Sequence, residues 1–178
     1  MADDASHVQQ IAGEGPVVLV GHSYGGAVIT EAGSHIPGAR HLVYLAAAMP
    51  ASGESMFEWV AKRPTGREMP LEFHDDGTSK VIVDESDSPY DADTLARLLE
   101  IGLRPFAIAG ITTPLTTAAW TTLPSTYLVA TEDTTIHPDT QREMAARADT
   151  TVEIDTEHQV IISRPDAVAE LITRIVSG

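Results

Sequence analysis

Residues 16–26 read PVVLVGHSYGG, a short apolar run followed at once by a glycine-rich turn. The VVLV at 17–20 has the length and the β-branched content of a buried strand. The G-x-S-x-G at 21–25 predicts a sharp reversal into a helix, because glycine neighbours let the chain fold back and leave the Ser23 hydroxyl exposed. We expect Gly26 to let that helix pack close to the strand.

The strand–turn–helix context around Ser23 is typical of a nucleophile elbow, the turn that presents a reactive serine. A plain glycine-rich loop that only turns the chain is the alternative. A phosphate-binding loop is disfavoured, since GHSYGG has neither the G-x-G-x-x-G spacing nor the P-loop lysine.

Further apolar runs of strand length alternate with helical patterns along the chain. The runs are HLVYLAA at 41–47, STYLVA at 125–130 and residues 151–154. Helices are predicted over 3–12 with Asp3 or Asp4 as the cap, from the turn to about Ser34, from Pro138 to about residue 148, and from residue 163 onward. Short apolar strands separated by helices predict an α/β fold, with a mainly parallel sheet covered on both faces.

Residues 50–110 lack the alternation of apolar strands and helices seen in the rest of the chain, and we interpret them as a cap-like insertion in a single domain that spans 1–178. Asp76-Gly77 predicts a hairpin, and Asp93 is expected to cap a helix whose leucines share one face. Those leucines are Leu95, Leu98, Leu99 and Leu103. Loops at one edge of an α/β sheet usually line the site, although a surface excursion that only completes the fold is the alternative. The predicted substrate-binding residues are Met49, Phe57 and Trp59.

Composition limits the function classes. The 178 residues, 43% of them hydrophobic, suit one soluble globular domain. Twenty-six acidic against 11 basic residues give a net charge of −15, which disfavours nucleic acid and anionic membranes as partners. The absence of cysteine excludes disulfides and thiolate chemistry. We expect a cytoplasmic enzyme, since no signal peptide or membrane span is visible. We also expect a small-molecule substrate, with no metal and no cofactor.

Three reactive side chains follow predicted strands, and sites of parallel sheets form beyond the carboxyl ends of the strands. Ser23 follows the first strand, Asp133 the third and His158 the fourth. A serine needs a base to take its proton, histidine titrates near neutrality, and a carboxylate fixes the imidazole tautomer. Glu132 and Asp155 are alternative carboxylates, although Asp155 is poorly placed to reach across to His158.

Three stretches resemble the α/β-hydrolase fold family, in particular its bacterial branch related to plant methylesterases and hydroxynitrile lyases. They are VVLVGHSYGG, AWTTLPSTYLVATED and EIDTEHQVIISRPDAVAELI. The resemblance covers nearly the whole chain and implies a catalytic triad of Ser23, Asp133 and His158. It implies a serine carboxylic-ester hydrolase that acts on small to medium acyl esters through an acyl-enzyme.

The chain departs from that family in being shortened before the elbow, where members carry early strands and a His-Gly loop. The loop supplies one of two backbone donors to the oxyanion hole, and the other is implied to be the amide of Tyr24. Losing one donor typically slows the reaction by about 10²–10³-fold, so we expect a slow esterase. Without the early strands, residues 17–20 become an apolar edge strand, and a homo-oligomer that covers this edge is expected.

Two other functions remain open at this point. A hydroxynitrile lyase uses a similar triad, but that branch carries a His-Lys pair where this chain has His158-Gln159. A catalytically impaired homologue acting as an interaction module is favoured by the missing loop and opposed by the intact triad.

Overall fold

The computed structural model describes residues 1–65, 71–82, 88, 90–102 and 104–178. Its strands are β1 (Val17–His22), β2 (Ala39–Leu45), β3 (Leu71–Phe73), β4 (Thr78–Val81), β5 (Phe106–Ala107), β6 (Ser125–Ala130) and β7 (Thr150–Ile154). Its helices are α1 (Ala2–Ala12), α2 (Tyr24–Gly33), α3 (Met56–Lys62), α4 (Ala92–Ile101), α5 (Ile108–Thr112), α6 (Pro138–Ala145), α7 (Val160–Ser163) and α8 (Pro165–Ser177). None of the helices within these residues is long and apolar enough to cross a membrane.

The main sheet has the order β1-β2-β6-β7, and every neighbouring pair is parallel. Alternate residues of β2 enter two different cores. Leu42 and Tyr44 pack in the core that α1, α2 and α6 share, whereas Val43 and Leu45 pack against α7 and α8. The predicted parallel sheet with both faces covered is therefore confirmed.

Strand β1 lies at one edge of this sheet, with β2 as its partner among the described residues. Val20 is 39% exposed there, while Leu19 is buried. The predicted edge position is confirmed. Coverage of this edge by a second copy of the chain stays a prediction.

The predicted hairpin and leucine-rich helix both form within the cap-like segment. Strands β3, β4 and β5 make a separate antiparallel sheet, and Gly77 takes a φ of +80° in the turn between β3 and β4. In α4, Leu98 is buried and Leu95 half-buried, but Leu99 is 43% exposed. Leu103 lies outside the described residues. That this segment acts as a cap within one domain stays a prediction.

Two helix caps differ from the sequence prediction. Asp91, not Asp93, caps α4, since its side chain accepts a hydrogen bond from the Thr94 amide at 2.8 Å. Helix α1 begins at Ala2, so Asp3 and Asp4 fall inside its first turn, and no side chain caps it. In both cases the helix begins one or two residues earlier than predicted, and the proposed cap becomes a helical residue.

Candidate active site

Ser23 occupies a strained turn between β1 and α2. Its φ is +52°, a conformation that residues other than glycine rarely adopt. Its carbonyl oxygen accepts hydrogen bonds from the amides of Gly26 at 3.1 Å and Ala48 at 3.0 Å, which hold the turn closed. The structure thus gives Ser23 the strand-to-helix position that the motif predicts.

The two glycines that the turn needs most are Gly21 and Gly26. A Cβ on Gly21 would lie 2.5 Å from the Gly25 oxygen, and one on Gly26 would lie 2.3 Å from the Ala48 oxygen. The close approach of Gly26 is therefore to the segment after β2, whereas the sequence predicted an approach to β1. Nothing lies within 4 Å of a Cβ on Gly25.

Asp133 and His158, 25 residues apart in the chain, form a buried pair. His158 Nδ1 lies 2.7 Å from Asp133 Oδ2, and the residues are only 4% and 3% exposed. Among the hydrogen bonds between described residues, the His158 ring uses only Nδ1, which leaves Nε2 for a further partner. A carboxylate on Nδ1 fixes the proton there and makes Nε2 the basic nitrogen.

The alternative carboxylates do not reach His158. The Asp155 carboxylate accepts a hydrogen bond from the Thr131 hydroxyl at 2.8 Å, and both Asp155 and Glu132 are exposed. Asp133 is instead held from two sides: the amides of Thr135 and Ile136 donate to Oδ1 at 2.6 and 2.9 Å, and Gln141 Nε2 donates to Oδ2 at 2.7 Å.

His22, the residue before Ser23, connects the serine turn with the loop that carries His158. Its Nε2 lies 2.8 Å from the His158 carbonyl oxygen, and the two imidazole rings are 4.8 Å apart between centroids. Because a carbonyl only accepts, Nε2 of His22 carries the proton. Burial lowers the pKa of His22 to about 4, with the nearby His158 adding to the effect. A neutral His22 thus holds the Ser23 turn against the loop of His158.

Tyr24 follows Ser23 directly, and its side chain bonds to a residue of α1. The phenol donates to Asp4 Oδ2 at 2.7 Å, and burial raises the phenol pKa. Tyr24 is the first residue of α2, and the first N–H groups of a helix have no acceptor within it. The Tyr24 amide is therefore placed directly after Ser23, as an oxyanion donor would have to be.

Of the three predicted substrate-binding residues, two are buried and one is exposed. Phe57 is 54% exposed, Met49 is fully buried and Trp59 is 5% exposed. The Trp59 indole donates to Glu54 Oε2 at 2.8 Å, and the Arg147 guanidinium lies 4.6 Å from its ring centre. Contact of these residues with substrate stays a prediction.

Glu54 joins the cap-like segment to α6 and the residues that follow it. Arg147 donates to both of its carboxylate oxygens, at 2.7 and 3.0 Å, and this pairing holds the pKa of Glu54 down at about 2. The amide of Ala51 adds a third donor at 2.8 Å. The sequence alone gives no signal for the roles of Glu54, Arg147 and Gln141, because Arg147 is remote from Glu54 in the chain and Asp133 lies outside the helix that carries Gln141.

Helix α4 borders two of the cavities formed by the described residues. One, of about 310 Å³, lies between the β3–β4 hairpin and α4, and the other, of about 530 Å³, lies between α4 and Ile161, Ile162 and Pro165. Ser23, Asp133 and His158 are not among the described residues that line them.

Comparison with known proteins agrees with this fold. The profile described as "Alpha/beta hydrolase family" matches residues 1–171. The chain belongs to the alpha/beta hydrolase family. A curated member, the alpha/beta hydrolase nvfD of Aspergillus novofumigatus, is 31% identical over 176 residues, which span 88% of this chain and 68% of that protein.

Solved alpha/beta hydrolases show the same fold at lower identity. A pyrethroid hydrolase from Sphingobium faniae JZ-2 is 24% identical with a TM-score of 0.73, covering 98% of this chain and 76% of its own. Polyneuridine aldehyde esterase is 17% identical with a TM-score of 0.75, covering 97% of this chain and 78% of its own. The sequence-based assignment to this family and fold is thereby confirmed.

Proposed function

We propose that the protein is a serine carboxylic-ester hydrolase in which Ser23, His158 and Asp133 form the catalytic triad. The buried 2.7 Å contact between His158 Nδ1 and Asp133 carries the proposal. Such a contact orients an imidazole and stabilises its charged form, and in a catalytic triad it makes Nε2 the base that activates the nucleophile. The contact between His22, the residue before Ser23, and the His158 carbonyl supports a Ser23 turn close to that imidazole.

In the proposed reaction, His158 Nε2 takes the proton of the Ser23 hydroxyl as its oxygen attacks the ester carbonyl. The negative charge on the carbonyl oxygen is stabilised by the Tyr24 amide. His158 then gives its proton to the leaving alcohol, and an acyl-enzyme forms on Ser23. A water molecule, deprotonated by the same imidazole, then attacks the acyl carbon; the bond to the Ser23 oxygen breaks, the acid leaves, and His158 returns the proton to Ser23.

The similar proteins support the same class of reaction. One solved relative is named an esterase and another a pyrethroid hydrolase. An acyl ester of small to medium size is the proposed substrate class.

A fluorophosphonate probe tests the nucleophile. We expect the probe to label the peptide that contains Ser23, and p-nitrophenyl acetate to be hydrolysed by the wild type but not by Ser23→Ala. Ser34→Ala, at the exposed far end of α2, is the matched control and should behave as the wild type. No labelling, together with equal hydrolysis by wild type and Ser23→Ala, would reject the esterase and favour an interaction module.

A further inference from the structure

Gln141 is a fully buried polar side chain on a helix that otherwise carries many charged residues. It lies in α6, eight residues after Asp133, and its exposed fraction is 0%. A buried amide is costly unless its donors and acceptor find partners. Here each finds one: Nε2 donates to Asp133 Oδ2 at 2.7 Å and to the Ile136 carbonyl at 2.8 Å, and Oε1 accepts from the Ala130 amide at 3.0 Å.

These partners fix the orientation of the amide. Asp133 Oδ2 and the Ile136 carbonyl only accept, so the NH₂ group must face them. The Ala130 N–H only donates, so the oxygen must face it. The opposite orientation would set donor against donor and acceptor against acceptor. Gln141 therefore donates to the carboxylate in the one orientation the site permits.

The oxygen that Gln141 contacts is the same one that accepts from His158. Both contacts to Asp133 Oδ2 measure 2.7 Å, while Oδ1 is occupied by two backbone amides. A neutral donor on this oxygen draws negative charge away from the histidine contact. It also helps to fix the position of the oxygen that His158 contacts. Removing it should strengthen the attraction between the carboxylate and a protonated imidazole.

We propose that Gln141 is a positioning residue that sets both the orientation of Asp133 and the acidity of the Asp133–His158 pair. This inference rests on the proposed esterase function for its kinetic consequences only, since the contacts exist whether or not Ser23 reacts.

The test replaces Gln141 with residues that lose the donor. Gln141→Met keeps the length of the side chain, and Gln141→Asn keeps the amide but shortens its reach. Thr140→Val is the matched control, because Thr140 is equally buried on the same helix and its hydroxyl has no partner among the described residues. For each protein, kcat/KM for p-nitrophenyl acetate is measured against pH, and the His158 ring is titrated by NMR.

We expect the acidic limb of the kcat/KM profile, and the NMR titration midpoint of His158, to move upward in both Gln141 variants relative to the wild type. Two other titratable groups face the pair, the His22 ring, 4.8 Å from that of His158, and the Tyr90 phenol, and both are unchanged in every protein compared. Activity at pH 6 should then fall more than activity at pH 8. Thr140→Val should match the wild type. In the wild-type protein, the Gln141 side-chain amide protons should change shift with the His158 midpoint, which is measurable even if a variant fails to fold.

A uniform fall in kcat with no movement of either midpoint would overturn the proposal and leave Gln141 a purely structural residue. So would Gln141 amide protons that do not respond to the titration of His158. If the wild type is neither labelled nor active, the esterase function fails. The positioning role still stands in that case if the NMR midpoint of His158 moves in the Gln141 variants.

Discussion

Replacing His22 with glutamine should change how the stability of the protein depends on pH. Glutamine can place its Nε2 near that of histidine and so still donate to the His158 carbonyl, but it does not titrate. The wild-type ring has a pKa lowered to about 4 by burial, against 6.5 in the unfolded chain. Between these values the unfolded chain binds a proton that the folded protein does not. Stability therefore falls as the pH falls through this window.

The size of the effect follows from the difference between the two pKa values. A shift from 6.5 to about 4 corresponds, at about 1.4 kcal/mol per unit, to roughly 3 kcal/mol between pH 7 and pH 4. That is a large share of the 5–15 kcal/mol typical of a folded domain. His41, whose pKa burial also lowers, titrates in both proteins and cancels in the comparison.

Urea unfolding at pH 7, 6, 5 and 4 measures the effect. The free energy of unfolding of His22→Gln should lie within about 1 kcal/mol of the wild type at pH 7 and exceed it by about 3 kcal/mol at pH 4. His35→Gln is the control, because His35 is exposed and its replacement should leave the curve parallel to that of the wild type. Parallel curves for His22→Gln and wild type would refute the claim that His22 is held neutral by burial.

Three further predictions concern the turn, the cap-like segment and the sheet edge. Gly26→Ala should destabilise the fold by about 1–3 kcal/mol in urea unfolding, since its Cβ would lie 2.3 Å from the Ala48 oxygen. Gly25→Ala is the control and should be tolerated, because nothing lies within 4 Å of its Cβ. Equal losses of stability in the two variants would contradict this packing. Glu54→Gln should lower the free energy of unfolding by about 1–2 kcal/mol at pH 7, allowing for the partial exposure of Glu54. The loss should shrink as the pH falls from 4.5 towards 2, where the wild-type carboxylate also loses its charge. A loss that does not change with pH would argue against the ion pair. Sedimentation should detect a homo-oligomer that Val20→Lys dissociates, and a wild-type monomer would remove the case for edge pairing.

The local elements were largely readable from the sequence. The VVLV run, the glycine-rich turn and the STYLVA run all formed at or near the predicted residues, because strand length, turn chemistry and helix onset depend on neighbours in the chain. Among these helices and strands, the errors concern where an element begins or ends. Asp91 rather than Asp93 caps α4, since the choice between two nearby aspartates depends on where the first helical turn closes.

The candidate site was predictable only in part. The order of Ser23, Asp133 and His158 along the chain, each after a strand, follows from the pattern of a parallel sheet. The sequence favoured Asp133 over Asp155 as the partner of His158, but the contact itself came from the structure, because the distance between side chains on different strands depends on strand pairing and loop path. The contacts of Gln141 with Asp133 and of Glu54 with Arg147 gave no sequence signal at all.

Short-range physics in this chain accounts for the α/β pattern, the strained serine and the types of residue at the strand ends. Three-dimensional packing accounts for which of those residues touch. His22 and the His158 carbonyl are 136 positions apart in sequence yet 2.8 Å apart in space. Such contacts arise when β1, β2, β6 and β7 align their carboxyl ends at one edge, and that alignment is a property of the whole sheet.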